Sequence, residues 1–248
     1  MKNFLSSSMN LRSHRPLQAL KLSARADAFD LMLPLAHSLH RRLFHNAHFG
    51  TSEYWKKFYD ERAGAQFEWF LSAEDAMSEL QPVLHNFEGT MLHVGCGTSG
   101  LGHALACTPG CKSVVNVDYS AEAIAAAMAA HSQASNLSHA SCAPATFVQA
   151  DCRSLDVTWS NQFDLVVDKG TFDAVQIAGS DDCQKFLHEM RRVLKKPGGK
   201  LLSLTDDIPE QRLDLLRGFL PDAAHSFREA SSGDGNWTYY VYMSTIQG

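Results

Sequence analysis

Met91-Leu92-His93-Val94-Gly95-Cys96-Gly97-Thr98-Ser99-Gly100 joins a short apolar run to a glycine-rich turn, and its reading decides the fold. The run ends at Gly95. Glycines at G-x-G-x-x-G spacing let the chain turn sharply and let a ligand approach the backbone. Taken alone this spacing is a weak signal, because a nicotinamide or flavin dehydrogenase or a plain structural turn satisfies it too.

Outward from this turn, β-branched or apolar runs recur at residues 113–117, 146–149, 163–167 and 200–204. Between them lie helical patterns at residues 100–106, 120–134 and 182–195, the last stopped by Pro197, Gly198 and Gly199. Strand alternating with helix implies a parallel sheet covered on both faces. A helix from Pro209 to about Arg217 follows, then two strand-like segments, 224–230 and 237–244, joined by the turn-rich stretch 231–236. The pair reads as an antiparallel hairpin closing the sheet edge. The expected architecture is α/β: a doubly wound, mostly parallel, seven-stranded, Rossmann-like sheet with a C-terminal antiparallel hairpin. Two helices precede it, one capped by Ser52 and running through Tyr54, Trp55, Phe58 and Tyr59 to Gly64, the other started by a Ser72/Asp75 capping box and running toward Leu80.

In such a fold ligands sit at the carboxyl ends of the strands, so the residues there are the candidates for chemistry. Asp118 ends the second strand and is placed to accept hydrogen bonds from both hydroxyls of a ribose, which a carboxylate does well because it only accepts. Asp151, after the third strand, would lie beside an adenine and accept from its exocyclic amine. The fourth strand delivers Asp168-Lys169-Gly170-Thr171-Phe172-Asp173, read as a loop carrying two carboxylates and a lysine over the same edge.

Charge narrows the partners. Lys and Arg total 22 against 27 acids, and residues 1–44 hold seven of the bases and two of the acids. The remaining 15 bases and 25 acids leave a net charge of −10. So acidic a body disfavours nucleic acid and suits a basic protein or a small molecule. Six cysteines form no CxxC pair and are expected as reduced thiols. No His-Glu-x-x-His element accompanies the histidines, so no metal site is expected. No apolar stretch approaches the ~20 residues that span a bilayer.

Residues 1–26 contain no acid, while Lys2, Arg12, Arg15, Lys21 and Arg25 alternate with serines and leucines. That composition reads as a mitochondrial transit peptide, with Leu17, Leu20 and Ala24 at helical spacing. The expected organisation is a leader over 1–44 and a catalytic domain over 45–248.

Leu92-His93-Val94-Gly95-Cys96-Gly97-Thr98-Ser99, Val117-Asp118-Tyr119-Ser120 and Gln149-Ala150-Asp151 resemble the cofactor motifs of class I S-adenosylmethionine-dependent methyltransferases. Asp168-Lys169-Gly170-Thr171-Phe172-Asp173-Ala174 narrows the resemblance to a methyltransferase-like group that includes the lysine methyltransferases of elongation factor 1A and of mitochondrial citrate synthase. Tyr54-Trp55-Lys56-Lys57-Phe58-Tyr59 and Phe67-Glu68-Trp69-Phe70 are similar to that group's N-terminal segment, and the likeness covers roughly residues 52–205. His93 departs from it, standing where most class I enzymes carry an acid.

The resemblance implies S-adenosyl-L-methionine as cofactor, held by Gly95, Cys96, Gly97, Thr98, Asp118, Tyr119, Asp151, Cys152 and Asp168. It implies a protein substrate, citrate synthase in the mitochondrial matrix ahead of elongation factor 1A or a small molecule. Asp168 and Asp173 are the expected proton acceptors for the substrate lysine. Trp55, Phe67, Trp69 and Phe172 are the expected walls of its channel, which would pack on the methylene stem and attract a methylated ammonium.

Overall fold

The computed structural model of the chain describes residues 48–137, 141–231 and 238–248. The expected leader and most of the expected turn at 231–236 lie outside the described residues. In chain order the elements are α1 (Ser52–Glu61), α2 (Ala73–Leu84), β1 (Gly89–Val94), α3 (Leu101–Ala106), β2 (Cys111–Asp118), α4 (Ala121–Leu137), β3 (Ala145–Gln149), β4 (Leu165–Lys169), α5 (Thr171–Ala178), α6 (Ser180–Val193), β5 (Lys200–Thr205), α7 (Pro209–Phe219), β6 (Ala223–Ser231) and β7 (Thr238–Ile246).

The seven strands form one sheet in the order β3-β2-β1-β4-β5-β7-β6. The first five are parallel, and β7 runs antiparallel to both β5 and β6. This is the doubly wound sheet with its terminal hairpin. From β1 the chain winds outward to β3 and returns to β4 on the other side, which makes the β1/β4 boundary the switch point where a crevice opens. Register brings the strand tips level: Val94 pairs with Val117 on one side and Asp168 on the other, and Asp118 pairs with Gln149.

Alternation along the strands feeds two cores. Leu92, Val94 and Val166 pack with Phe186, Leu187 and Met190 of α6 and Leu216 of α7. Met91, Leu165 and Val167 pack on the opposite face with Leu80 and Leu84 of α2 and Leu101 and Leu105 of α3. Each such side chain, fully buried, contributes about 1.5–3 kcal/mol relative to exposure, so the central strands are the rigid part of the molecule.

Local chemistry sets the helix starts. Thr51 rather than Ser52 caps α1, its Oγ1 accepting the Tyr54 N–H at 3.4 Å. Ser72 caps α2 as expected, accepting the Asp75 N–H at 3.1 Å and donating to the Asp75 carboxylate at 2.7 Å.

Two expectations need correction. Asp168 to Asp173 is not one loop: Asp168 and Lys169 close β4, Gly170 turns with φ +80°, and Asp173 sits in the first turn of α5. That helix is only eight residues long and lies between two glycines, with its cap supplied from the strand: Asp168 Oδ1 accepts the N–H groups of Thr171 at 2.9 Å and Phe172 at 3.1 Å. Nor are all the cysteines free, since Cys107 and Cys142 form a disulfide across 35 residues. The Ala143 N–H donates to the Ala106 carbonyl at 2.8 Å, which lays the approach to β3 across the end of α3.

Candidate active site

The crevice lies at the switch point. It holds about 550 Å³, counting the part open to solvent, and its floor is the glycine turn after β1 together with the tips of β2 and β4. Gly95 and Gly97 adopt φ of +58° and +51°, which side chains rarely take. Packing excludes a side chain as well: a Cβ on Gly95 would meet Thr171 Oγ1 at 1.9 Å, and one on Gly97 would meet the Tyr59 hydroxyl at 2.5 Å. These glycines therefore serve close packing of the turn against α5 and α1.

Asp118 is the one carboxylate among the residues lining the crevice. Its Oδ2 accepts the Gly97 N–H at 3.0 Å and its Oδ1 the Ser120 N–H at 2.9 Å. Burial pushes its carboxyl up to about 6 against those hydrogen bonds. Each oxygen keeps acceptor capacity for a further donor.

His93 stands on the β1 side of the crevice and is wholly enclosed. Burial pushes its imidazole down to about 4, so it is neutral at physiological pH, and its Nδ1 lies 3.1 Å from Asn116 Oδ1. An amide oxygen only accepts, so Nδ1 carries the proton and Nε2 is the acceptor. The position that usually holds an acid thus offers a neutral acceptor.

The aromatic wall comes from the segment before the sheet, joined by Tyr119 just after β2. Trp55, Tyr59, Phe67, Trp69 and Tyr119 line it. Trp55 and Trp69 are in ring contact at 4.9 Å, and Phe67 packs edge-on against Phe58 at 4.9 Å.

Residues 65–71 are strapped over the glycine turn by polar bonds that aromatic patterning did not reveal. Thr98 Oγ1 accepts the Phe67 N–H at 2.9 Å and donates to the Ala65 carbonyl at 3.0 Å. Glu68 accepts from Ser99 Oγ at 2.6 Å, the Gly100 N–H at 2.9 Å and Lys169 Nζ at 2.9 Å. Lys169 donates further to the carbonyls of Trp69 at 2.8 Å and Leu71 at 3.3 Å. Burial pushes Glu68 upward, but Lys169 and the donors from Ser99 and Gly100 outweigh it and hold the carboxyl below its ordinary value. The one signal in the sequence was an acid embedded in Phe67-Glu68-Trp69-Phe70 and a lysine at a strand tip.

Of the expected site residues, Gly95, Cys96, Asp118, Tyr119, Trp55, Phe67 and Trp69 line the crevice; Gly97, Thr98, Asp151, Cys152, Asp168, Asp173 and Phe172 are not among its lining residues. Thr98 holds the strap. Asp151 is gripped by Arg153, whose guanidinium donates to both carboxylate oxygens and also pairs with Asp182. Asp168 is fully enclosed, capping α5 and accepting from Ser203 Oγ at 2.5 Å. Asp173 pairs with buried Arg212 at 3.0 Å and accepts from Thr205 Oγ1. Phe172 stacks on Phe186 at 4.9 Å on one side and lies under the Arg212 guanidinium, 4.4 Å from its centroid, on the other. Direct proton transfer by Asp168 or Asp173, and a channel wall at Phe172, do not fit these placements.

The remaining donor set suits S-adenosyl-L-methionine. A buried carboxylate beside a glycine turn matches a ribose diol, and aromatic faces beside a neutral imidazole accommodate a sulfonium, the ammonium of Lys169 at the crevice being paired with Glu68. Sheet order and crevice together define a class I S-adenosylmethionine-dependent methyltransferase. The chain belongs to the methyltransferase domain family, whose match spans residues 86–233. The nicotinamide reading of the glycine turn does not survive that match.

The chain is 34% identical over 200 residues to the mitochondrial citrate synthase-lysine N-methyltransferase of Pongo abelii, covering 73% of this chain and 78% of the relative. It is 30% identical over 179 residues to EEF1A lysine methyltransferase 4 of Mus musculus, covering 68% and 66%. Among solved structures it resembles the N-methyltransferase NodS of Bradyrhizobium japonicum in complex with S-adenosyl-L-homocysteine, with TM-score 0.54, 16% identity and coverage of 75% and 95%. It also resembles a SAM-dependent methyltransferase of Methanosarcina mazei, with TM-score 0.53, 19% identity and coverage of 67% and 97%. These two likenesses are of fold.

Proposed function

We propose that the chain is a protein-lysine N-methyltransferase acting on citrate synthase in the mitochondrial matrix. The observation that carries the reading is the crevice itself: one buried carboxylate, Asp118, lines the same cavity as the aromatic rings of Trp55, Phe67 and Trp69, which can pack on an alkyl-ammonium stem. Relatives named for citrate synthase and for elongation factor 1A support a lysine as acceptor, and the acid-free residues 1–26 favour the mitochondrial substrate of the two.

S-adenosyl-L-methionine, when bound, supplies a methyl group on a sulfonium as the electrophile. Asp118 would hold the ribose end, with the backbone of Gly95 and Cys96 beside it. The strap of residues 65–71 carries Phe67 and Trp69 of the aromatic wall, and the Glu68–Lys169 pair keeps that strap against the turn. Orientation of the amine then contributes most of the rate enhancement. A lysine has an ordinary pKa of ~10.4 and must arrive neutral; the apolar wall disfavours its ammonium, so the proton leaves to solvent as the side chain enters. Asp168, Asp173 and Arg212 act from behind, fixing the start of α5 against the strand tips.

Incubation of the full chain with methyl-labelled S-adenosyl-L-methionine and either purified citrate synthase or purified elongation factor 1A tests the reading. Label on citrate synthase alone is expected. Label on elongation factor 1A alone overturns the substrate, and label on neither overturns the acceptor class.

A further inference from the structure

One cluster of soft ligands is unused by the methyl-transfer site. It lies where the C-terminal end of α3 meets the approach to β3. His103 and Cys107 are four residues apart on and just beyond α3, so their side chains leave the same face. Cys142 arrives from a separate segment, and the donor atoms of the three residues all lie within 4.8 Å of one another. All three are half-buried, so an ion from solvent can reach them.

The Cys107–His103 distance matches a thiolate–imidazole site, and the two sulfurs are free to separate once the disulfide is open. Cys107 Sγ lies 3.6 Å from His103 Nε2. Ligands at about 2.3 Å for sulfur and about 2.0–2.1 Å for nitrogen, at tetrahedral angles, stand about 3.6 Å apart. The other ring nitrogen of His103 is also occupied as a metal-bound histidine requires: Nδ1 lies 3.1 Å from Nδ1 of His131 on α4. His131 Nε2 in turn lies 3.5 Å from Ser135 Oγ, and its ring packs on Phe147 at 5.5 Å. An outer partner of this kind fixes the tautomer and leaves Nε2 facing the sulfurs.

The geometry points to a zinc site formed by Cys107, Cys142 and His103, oriented by His131, that exists when the Cys107–Cys142 disulfide is open. Two thiolates and an imidazole select Zn(II) over hard cations such as Mg(II) or Ca(II), and three protein donors leave a fourth place for water. The disulfide and the metal are alternatives at the same sulfurs. A thiol or phosphine reductant gives two electrons to the S–S bond and the sulfurs take up two protons; Zn(II) then displaces both protons to solvent. Oxidation by a low-molecular-weight disulfide reverses this, restoring the Cys107–Cys142 bond, yielding two small thiols and releasing Zn(II). The sequence showed no such site because its ligands come from separate segments without CxxC spacing. Since α3 follows directly on the glycine turn, the site braces the helix that carries the cofactor loop.

The test is titration of the reduced full-length chain with Co(II) under argon, followed by displacement with Zn(II). One equivalent of cobalt is expected, with thiolate-to-cobalt charge-transfer absorption that zinc abolishes. The same chain with its disulfide intact is expected to show none of that absorption, a comparison that needs no variant to fold. Cys142→Ser is expected to lose the absorption. His131→Ala is expected to keep it but weaken binding roughly 10–100-fold. Cobalt uptake without the thiolate absorption in the reduced chain, or unchanged affinity in Cys142→Ser, overturns the assignment.

Discussion

The carboxylate of Asp118 accepts the backbone N–H of Gly97 at 3.0 Å, so the tip of β2 and the turn after β1 are a single polar unit. The same residue that faces the crevice therefore also shapes the turn. Asp118→Ala removes a ribose acceptor and leaves the Gly97 N–H without its partner. Affinity for S-adenosyl-L-methionine is expected to fall by about 1–3 kcal/mol, read by calorimetry. Unchanged affinity removes Asp118 from the cofactor site.

The pair of Glu68 and Lys169 predicts a stability effect that a second substitution reverses. Lys169 is buried, and its ammonium has Glu68 as its partner in a salt bridge of 2.9 Å. Glu68→Gln leaves that charge uncompensated and is expected to cost about 3 kcal/mol in urea unfolding. Combining it with Lys169→Met is expected to recover most of that loss, because the unpaired charge is gone. A double variant as unstable as the single one refutes this account of the strap.

Asp173 separates support from chemistry. Its carboxylate is paired with Arg212, which has no exposed surface. Asp173→Asn is expected to lower the melting temperature while the variant that remains folded keeps most of its turnover and its cofactor affinity. Lost turnover at full stability returns Asp173 to the reacting atoms.

The raised carboxyl of Asp118 makes a signed pH prediction. Its ordinary value is 3.8 and the folded value about 6, so ionisation costs the folded state more than the unfolded one. The contribution of Asp118 to stability is therefore fully present below about pH 4 and is lost as pH rises through about 6. Asp168 is shifted in the same direction by burial and by the nearby Asp173 charge, so total stability alone does not isolate Asp118. The difference between wild type and Asp118→Asn does. Relative to the variant, wild type is expected to lose up to about 3 kcal/mol between pH 4 and 7, measured by urea midpoints. A difference that stays flat over that range contradicts the burial of this carboxyl.

The strands were legible because period and punctuation agreed: Met91 to Val94, the glycine turn and Asp118 each carried a local signal for its place. The terminal hairpin was legible from alternation around a turn-rich stretch. Helix α5 was not, because Thr171-Phe172-Asp173 has no helical signature of its own and is capped by a residue of the preceding strand. The buried placement of Asp168, Asp173 and Phe172 behind the crevice was illegible for a related reason. Position in a motif tells which strand tip a side chain leaves, but not whether it turns toward the crevice or into the core. Arg212, 39 residues beyond Asp173, decides that, and the pairing is long-range. The Glu68 clasp was hidden for the same reason, since its partner Lys169 lies 101 residues away.

The most direct test of the account is a crystal structure of the chain with S-adenosyl-L-homocysteine. The account predicts the ribose on the Asp118 carboxylate and the sulfur turned toward the wall formed by Trp55, Phe67 and Trp69. A ligand seated away from Asp118, or with its sulfur facing away from that wall, contradicts it.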